Sequence, residues 1–110
     1  MGRFMRGDIV VLPFPFSDLS SSKRRPAVVL VSLMGDDVVL CQVTSQTKAD
    51  RYSVAISEAD FREGNLNRDS NARPNRLFTA DSKIIAYRAC RLSEAKTAEL
   101  IQNVISILNS

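Results

Sequence analysis

Apolar residues in this chain gather in short runs separated by turn-forming residues, with one helical stripe at the end. Gly7-Asp8 leads into Ile9-Val10-Val11-Leu12, a β-branched run that reads as a buried strand. It stops at Pro13-Phe14-Pro15-Phe16, because proline cannot donate to a ladder. A polar loop, 17–22, delivers the chain to Lys23-Arg24-Arg25-Pro26. Two apolar runs then flank Gly35-Asp36-Asp37, and they predict a hairpin over 26–33 and 38–44 whose far ends lie side by side. Alternation over Tyr52–Ile56 predicts a half-buried strand. Ser57 with Asp60 three residues on predicts a capped helical turn that ends at Gly64-Asn65. The polar stretch 65–75 reads as a loop, 76–80 as a strand, Asp81-Ser82 as a turn and 83–92 as a last strand. After Ser93, a good N-cap, the residues Ala98, Ile101, Val104, Ile105 and Leu108 recur at helical spacing.

Short strands followed by one helix predict a mainly β fold: a small antiparallel β-barrel or curled sheet with a short helical turn and a packed C-terminal helix. At 110 residues the chain is expected to be a single domain over 1–110. It shows neither a secretory signal nor a run approaching the ~20 apolar residues of a membrane span, so a cytoplasmic protein is expected. Cys41 and Cys90 lie in apolar runs and are expected to be reduced core thiols. The net charge of +3 is too small to name a partner, so the placement of charge matters more than its sum.

The sequence contains no histidine. Histidine-based acid–base chemistry, most zinc and iron sites and the Ser-His-Asp or Cys-His nucleophile systems are thereby excluded. What remains is carboxylates, arginines, lysines, hydroxyls and backbone groups. The predicted hairpin brings Lys23-Arg24-Arg25 at one end beside Thr44-Ser45-Gln46 at the other, a mixture of cations and hydroxyls suited to a phosphate. Two classes fit: a passive nucleic-acid-binding module, or metal-free cleavage of RNA, whose own 2′-hydroxyl is an internal nucleophile. Residue chemistry alone leaves both open. Arg25, Thr44 and Arg73 equally read as a strand-start charge, a strand threonine and a loop charge, and Asp8 and Asp18 as turn or cap residues.

Gly7-Asp8-Ile9-Val10, Arg25-Pro26-Ala27-Val28-Val29-Leu30, Val43-Thr44-Ser45-Gln46 and Ala72-Arg73-Pro74-Asn75-Arg76-Leu77-Phe78-Thr79-Ala80-Asp81 occur in this order and at this spacing. Together with Arg91-Leu92-Ser93 before the helix, they resemble the MazF/PemK toxin family, most closely its PemK-like branch. The resemblance implies an SH3-like barrel, a homodimer, and the toxin of a bacterial type II toxin–antitoxin pair. It implies a ribosome-independent endoribonuclease that cuts single-stranded mRNA without a metal or other cofactor, leaving a 2′,3′-cyclic phosphate and a 5′-hydroxyl. It also implies a cognate antitoxin as inhibitor, with DNA met only through the antitoxin complex at its own promoter.

Carried onto this sequence, the resemblance makes Arg25, Thr44 and Arg73 the catalytic candidates. Lys23, Arg24, Ser45, Gln46, Asn75, Arg76 and Asp81 become the candidate RNA contacts. Two departures matter for chemistry. Asn75 stands where the PemK-like branch has an aspartate proposed as general base, and an amide cannot take up the proton; the histidine that some members carry in the first loop is missing as well. The proton acceptor is then expected from a MazF-like arrangement around Arg25 and Thr44, or from Asp81 or another carboxylate. A gyrase-binding toxin of the same fold and a catalytically weak RNA-binding relative are the alternatives.

Overall fold

The computed structural model describes residues 4–14, 23–45 and 50–110. Its strands are β1 (Asp8–Pro13), β2 (Arg24–Ser32), β3 (Asp37–Thr44), β4 (Val54–Ile56), β5 (Phe61–Glu63), β6 (Ser70–Asp81) and β7 (Tyr87–Leu92), followed by one helix, α1 (Glu94–Leu108). Among the described residues all seven strands join one curled antiparallel sheet, in the order β4-β6-β3-β2-β1-β7-β5. The mainly β fold with a terminal helix is therefore as the hydrophobic pattern predicts, in the form of a half-barrel. Its two edge strands have three residues each.

The central strands are apolar on both faces, which is why they read as unbroken runs instead of alternating ones. Ile9, Val28, Leu30, Cys41 and Val43 point to one core, which Leu100 and Val104 of α1 cover. Val10, Leu12, Phe14, Ala27, Val29 and Leu40 point to a second core on the opposite face, where Phe14 meets Phe78 edge-on at 5.0 Å between ring centres. The helix starts where Ser93 Oγ accepts from the Lys96 amide at 3.1 Å. Cys41 and Cys90 are both buried and free. Burial pushes their thiols up to about 12 and about 11, so neither forms a thiolate near neutrality.

The N-terminal turn packs on α1 at Gly7 and is tied to β7 by Asp8. Gly7 has φ +96°, and a Cβ there would lie 2.9 Å from Thr97 Oγ1 in the first turn of the helix. Gly7→Ala combines a left-handed backbone with overpacking and is expected to cost roughly 2–4 kcal/mol, read as a lower midpoint in urea. Asp8 is buried; its carboxylate accepts from Arg91 Nε at 2.7 Å and from the Met5 amide at 2.8 Å, with Arg88 Nη1 at 3.6 Å. Asp8 thus pins the start of β1 to β7, a larger role than that of a turn residue.

Three elements differ from the sequence expectation. The stretch 65–75 is a loop only as far as 69, because β6 runs unbroken from Ser70 to Asp81. The buried Pro74 is accommodated by a break in register: Cys41 pairs with Leu77 while Gln42 pairs with Arg73, so residues 74–76 bulge and proline's missing N–H removes nothing from the ladder. The strand expected over 83–92 begins only at Tyr87, since Asp81 accepts from the Lys83 amide at 2.9 Å and caps a 3-10 turn over Ser82–Ile84. Phe61–Glu63, beyond a 3-10 turn at Glu58–Asp60 in which the Ser57 amide donates to Asp60, is an edge strand on β7 that its short, mixed sequence does not announce.

Candidate active site

β2 and β3 pair with Ala27 opposite Gln42 and Val28 opposite Cys41. Carried two residues toward the strand ends, this register sets Arg25 across from Thr44. On the outer sides of the hairpin, Arg25 pairs with Leu12 of β1, Thr44 with Asn71 of β6, and Gln42 with Arg73 of β6. Opposed residues of an antiparallel pair project from the same face. Arg25, Gln42, Thr44, Asn71 and Arg73 therefore share the face of the second core, as its polar continuation beyond Leu12 and Leu40. The predicted hairpin geometry holds, and β6 adds its own arginine to it.

An open groove of about 860 Å³ runs past the ends of these strands. Lys23, Arg24, Arg25, Thr44 and Ser45 line it together with Asn65, Asn67, Arg68, Tyr87 and Arg88. Asn67 adopts φ +63°, which asparagine tolerates, and its amide donates to Asn65 Oδ1 at 2.8 Å. Arg88 is partly neutralised by Glu63 at 3.1 Å. Lys23, Arg24, Arg25 and Arg68 form no ion pair with another described residue, so their charge is available to an anionic ligand. Tyr87 is 54% exposed, an aromatic face set among cations. Among the described residues, no three carboxylate or thiol groups gather as a site for a metal ion.

Arg73 is held differently. Its Nη2 donates to Asp50 Oδ2 at 2.8 Å, and Asn75 Nδ2 reaches the same oxygen at 3.4 Å. Arg73 Nε is buried and has no hydrogen-bond partner among the described residues. The hydrogen bond from Arg73 is the main reason the Asp50 carboxyl is pushed down to about 2, helped by the Tyr52 amide and the Ser53 hydroxyl. For a carboxylate lowered in this way, the pair is fully formed above about pH 4 and is lost as pH falls through about 2.

Residues 5–108 match the model of a family described as the PemK-like, MazF-like toxin of type II toxin–antitoxin systems. The chain belongs to this family. Among solved structures, MazF from Deinococcus radiodurans superposes with a TM-score of 0.74 at 21% identity, over 96% of each chain. The MazE–MazF complex of the same organism gives 0.76 at 20% identity, over 94% of each chain. An endoribonuclease in complex with its cognate antitoxin from Mycobacterial species gives 0.76 at 12% identity, over 96% of this chain and 95% of the other. No curated protein matches the sequence.

Within this MazF/PemK chain, the candidates drawn from the sequence fall into separate places. Lys23, Arg24, Arg25, Thr44 and Ser45 meet in the groove. Arg73 shares the face of Arg25 and Thr44 but does not line the groove, and it is a strand residue, not the loop residue expected. Asn75 and Arg76 are exposed in the bulge of β6. Asp81 is not brought to the site: it pairs with Asp37 at the opposite end of β3, five residues from Gln42, and caps its own turn. Gln46 lies outside the described residues. Asp50 carries one local signal in the sequence, the Asp-Arg-Tyr-Ser turn composition. Tyr87 and Arg88 carry no signal beyond the strand pattern over 83–92.

Proposed function

We propose that this protein is the endoribonuclease toxin of a type II toxin–antitoxin pair and that it cuts single-stranded RNA. The observation that carries the reading is that Arg25 and Thr44, from adjacent strands, line one groove whose lysine and arginines are largely uncompensated. In the reaction, the 2′-oxygen attacks the adjacent phosphorus and the bond to the 5′-oxygen breaks. The 2′-hydroxyl gives up one proton and the departing oxygen gains one, so no water is consumed and the products are a 2′,3′-cyclic phosphate and a 5′-hydroxyl. The internal nucleophile needs no metal to generate it.

The guanidinium of Arg25 stabilises charge on the pentavalent phosphorane with a planar, permanently charged fork, and the Thr44 hydroxyl donates a further hydrogen bond. Arg73 supplies a second guanidinium on the same face. DNA lacks the nucleophile and is spared. A homodimer, a cognate antitoxin that covers the groove, DNA contact only through the antitoxin complex and a bacterial cytoplasmic setting complete the proposal. Family membership and the antitoxin-bound state of solved relatives support it.

The test is incubation with a long single-stranded RNA in EDTA, followed by mapping of the ends. Cuts at a recurring short sequence with cyclic-phosphate termini are expected. RNA left intact at protein levels that arrest growth overturns the nuclease and favours a toxin that acts by binding a protein. A second expectation concerns Tyr87. As a stacking surface for a base it is worth about 1–3 kcal/mol, so Tyr87→Ala should weaken binding of a 2′-O-methyl RNA about tenfold to hundredfold, with the fold intact by circular dichroism.

A further inference from the structure

We infer that Asp50 is a positioning residue for Arg73: a carboxylate built into a rigid turn that aims the Arg73 guanidinium in the free protein and sets the geometry in which it meets the phosphate. The inference rests on the endoribonuclease reading for its kinetic consequence, but its structural basis is separate.

The two oxygens of Asp50 do different work. Oδ1 faces its own turn, where it accepts from the Tyr52 amide at 2.9 Å, the Ser53 amide at 2.9 Å and the Ser53 hydroxyl at 3.1 Å. The turn is closed further by the Ser53 amide donating to the Asp50 carbonyl at 3.2 Å. A carboxylate held at one oxygen by three donors loses little further freedom when the other oxygen takes a partner, so the free Oδ2 is presented ready-made. Arg73 Nη2 occupies it at 2.8 Å, and Asn75 Nδ2 stands at 3.4 Å from the same atom.

Arg73 needs such a partner. It stands on β6 opposite Gln42, its Nε is buried without a hydrogen-bond partner among the described residues, and its backbone is fixed by the sheet. Asp50 also follows closely in sequence on Thr44, so one short segment carries both a hydroxyl of the groove and the carboxylate that orients the second guanidinium.

The same geometry argues against Asp50 as the proton acceptor that Asn75 leaves missing. A carboxylate held near pKa 2 by a guanidinium is always ionised at working pH and is a feeble base. Its contribution is orientation.

Asp50→Asn isolates this role, because the amide oxygen can still accept within the turn while the negative charge toward Arg73 is gone. In single-turnover RNA cleavage it should lower the maximal rate about tenfold to hundredfold, with the RNA concentration at half-maximal rate changed little. Asp50→Glu should restore part of the loss. In an Arg73→Ala background, Asp50→Asn should have no further effect, since nothing is left to aim. A wild-type rate for Asp50→Asn overturns the inference, and so does an equal loss in both backgrounds.

An activity-free measurement separates this from the nuclease reading. The Arg73 Nε–Hε signal in 15N NMR should shift and exchange faster with solvent in Asp50→Asn. An unchanged signal refutes the positioning role even in a protein that cuts RNA. A shifted signal upholds it even in one that cuts none, where the nuclease reading alone has failed.

Discussion

Arg25→Ala is expected to reduce RNA cleavage by about 10²–10³-fold or more while leaving the protein folded, because in the proposed mechanism it deletes a donor aimed at charge that develops only in the transition state. Arg25 is half-buried at the first turn of β2, where its backbone continues to pair with Leu12 whatever the side chain. Loss of the guanidinium therefore removes chemistry and spares architecture. Arg25→Lys should fall between the two, since an ammonium keeps the charge but lacks the planar fork that engages two phosphate oxygens at once. Single-turnover cleavage of a short RNA, with circular dichroism as the folding control, decides the matter. A rate for Arg25→Ala within a few-fold of wild type would remove this residue from the mechanism and leave the groove as a binding surface.

Leu100→Ala should show the opposite division. Leu100 is fully buried on α1 and packs with Ile9, Val28, Cys41, Cys90 and Leu92 in the core between helix and sheet. Truncation removes transfer energy and leaves a cavity, a loss of about 2–5 kcal/mol. Against a total of roughly 5–15 kcal/mol for an ordinary domain this is severe, and the urea midpoint should fall sharply. Cleavage per folded molecule should barely change, because Leu100 neither lines the groove nor lies on the face that carries Arg25, Thr44 and Arg73. A variant that loses rate in proportion to stability would mean that the two faces are mechanically coupled.

Local pattern carried the hairpin and the helix because each is decided by neighbours in sequence. Ile9–Leu12, the runs either side of Gly35 and the stripe from Ala98 to Leu108 appear where they were expected. The hairpin register alone sufficed to bring Arg25 to Thr44. The failures have a common physical form. Pro74 argues against a strand by every local rule, and only the bulge opposite Cys41 and Gln42, a property of the pairing, makes it acceptable. Phe61–Glu63 becomes a strand because β7 offers it an edge. Asp50 acquires its role from a residue 23 positions away in sequence, and Asp81 loses its expected place because β6 carries it to the wrong end of the sheet. Sequence shows which groups are present, whereas a site depends on which of them a long-range pairing brings together.

The double-sided burial of the central strands bears on how long the molecule lasts. β1, β2 and β3 each feed side chains alternately into two cores, so none of them can peel away without wetting both at once. A partly opened form that exposes the middle of the sheet is correspondingly costly and close to complete unfolding in free energy. Proteases that require an extended, accessible backbone would then cut these strands only through the rare, fully unfolded chain, at a rate set by the unfolding equilibrium. Arg25 and Thr44 lie at the ends of these strands. The lifetime of the groups that carry the proposed chemistry is thus the lifetime of the whole fold.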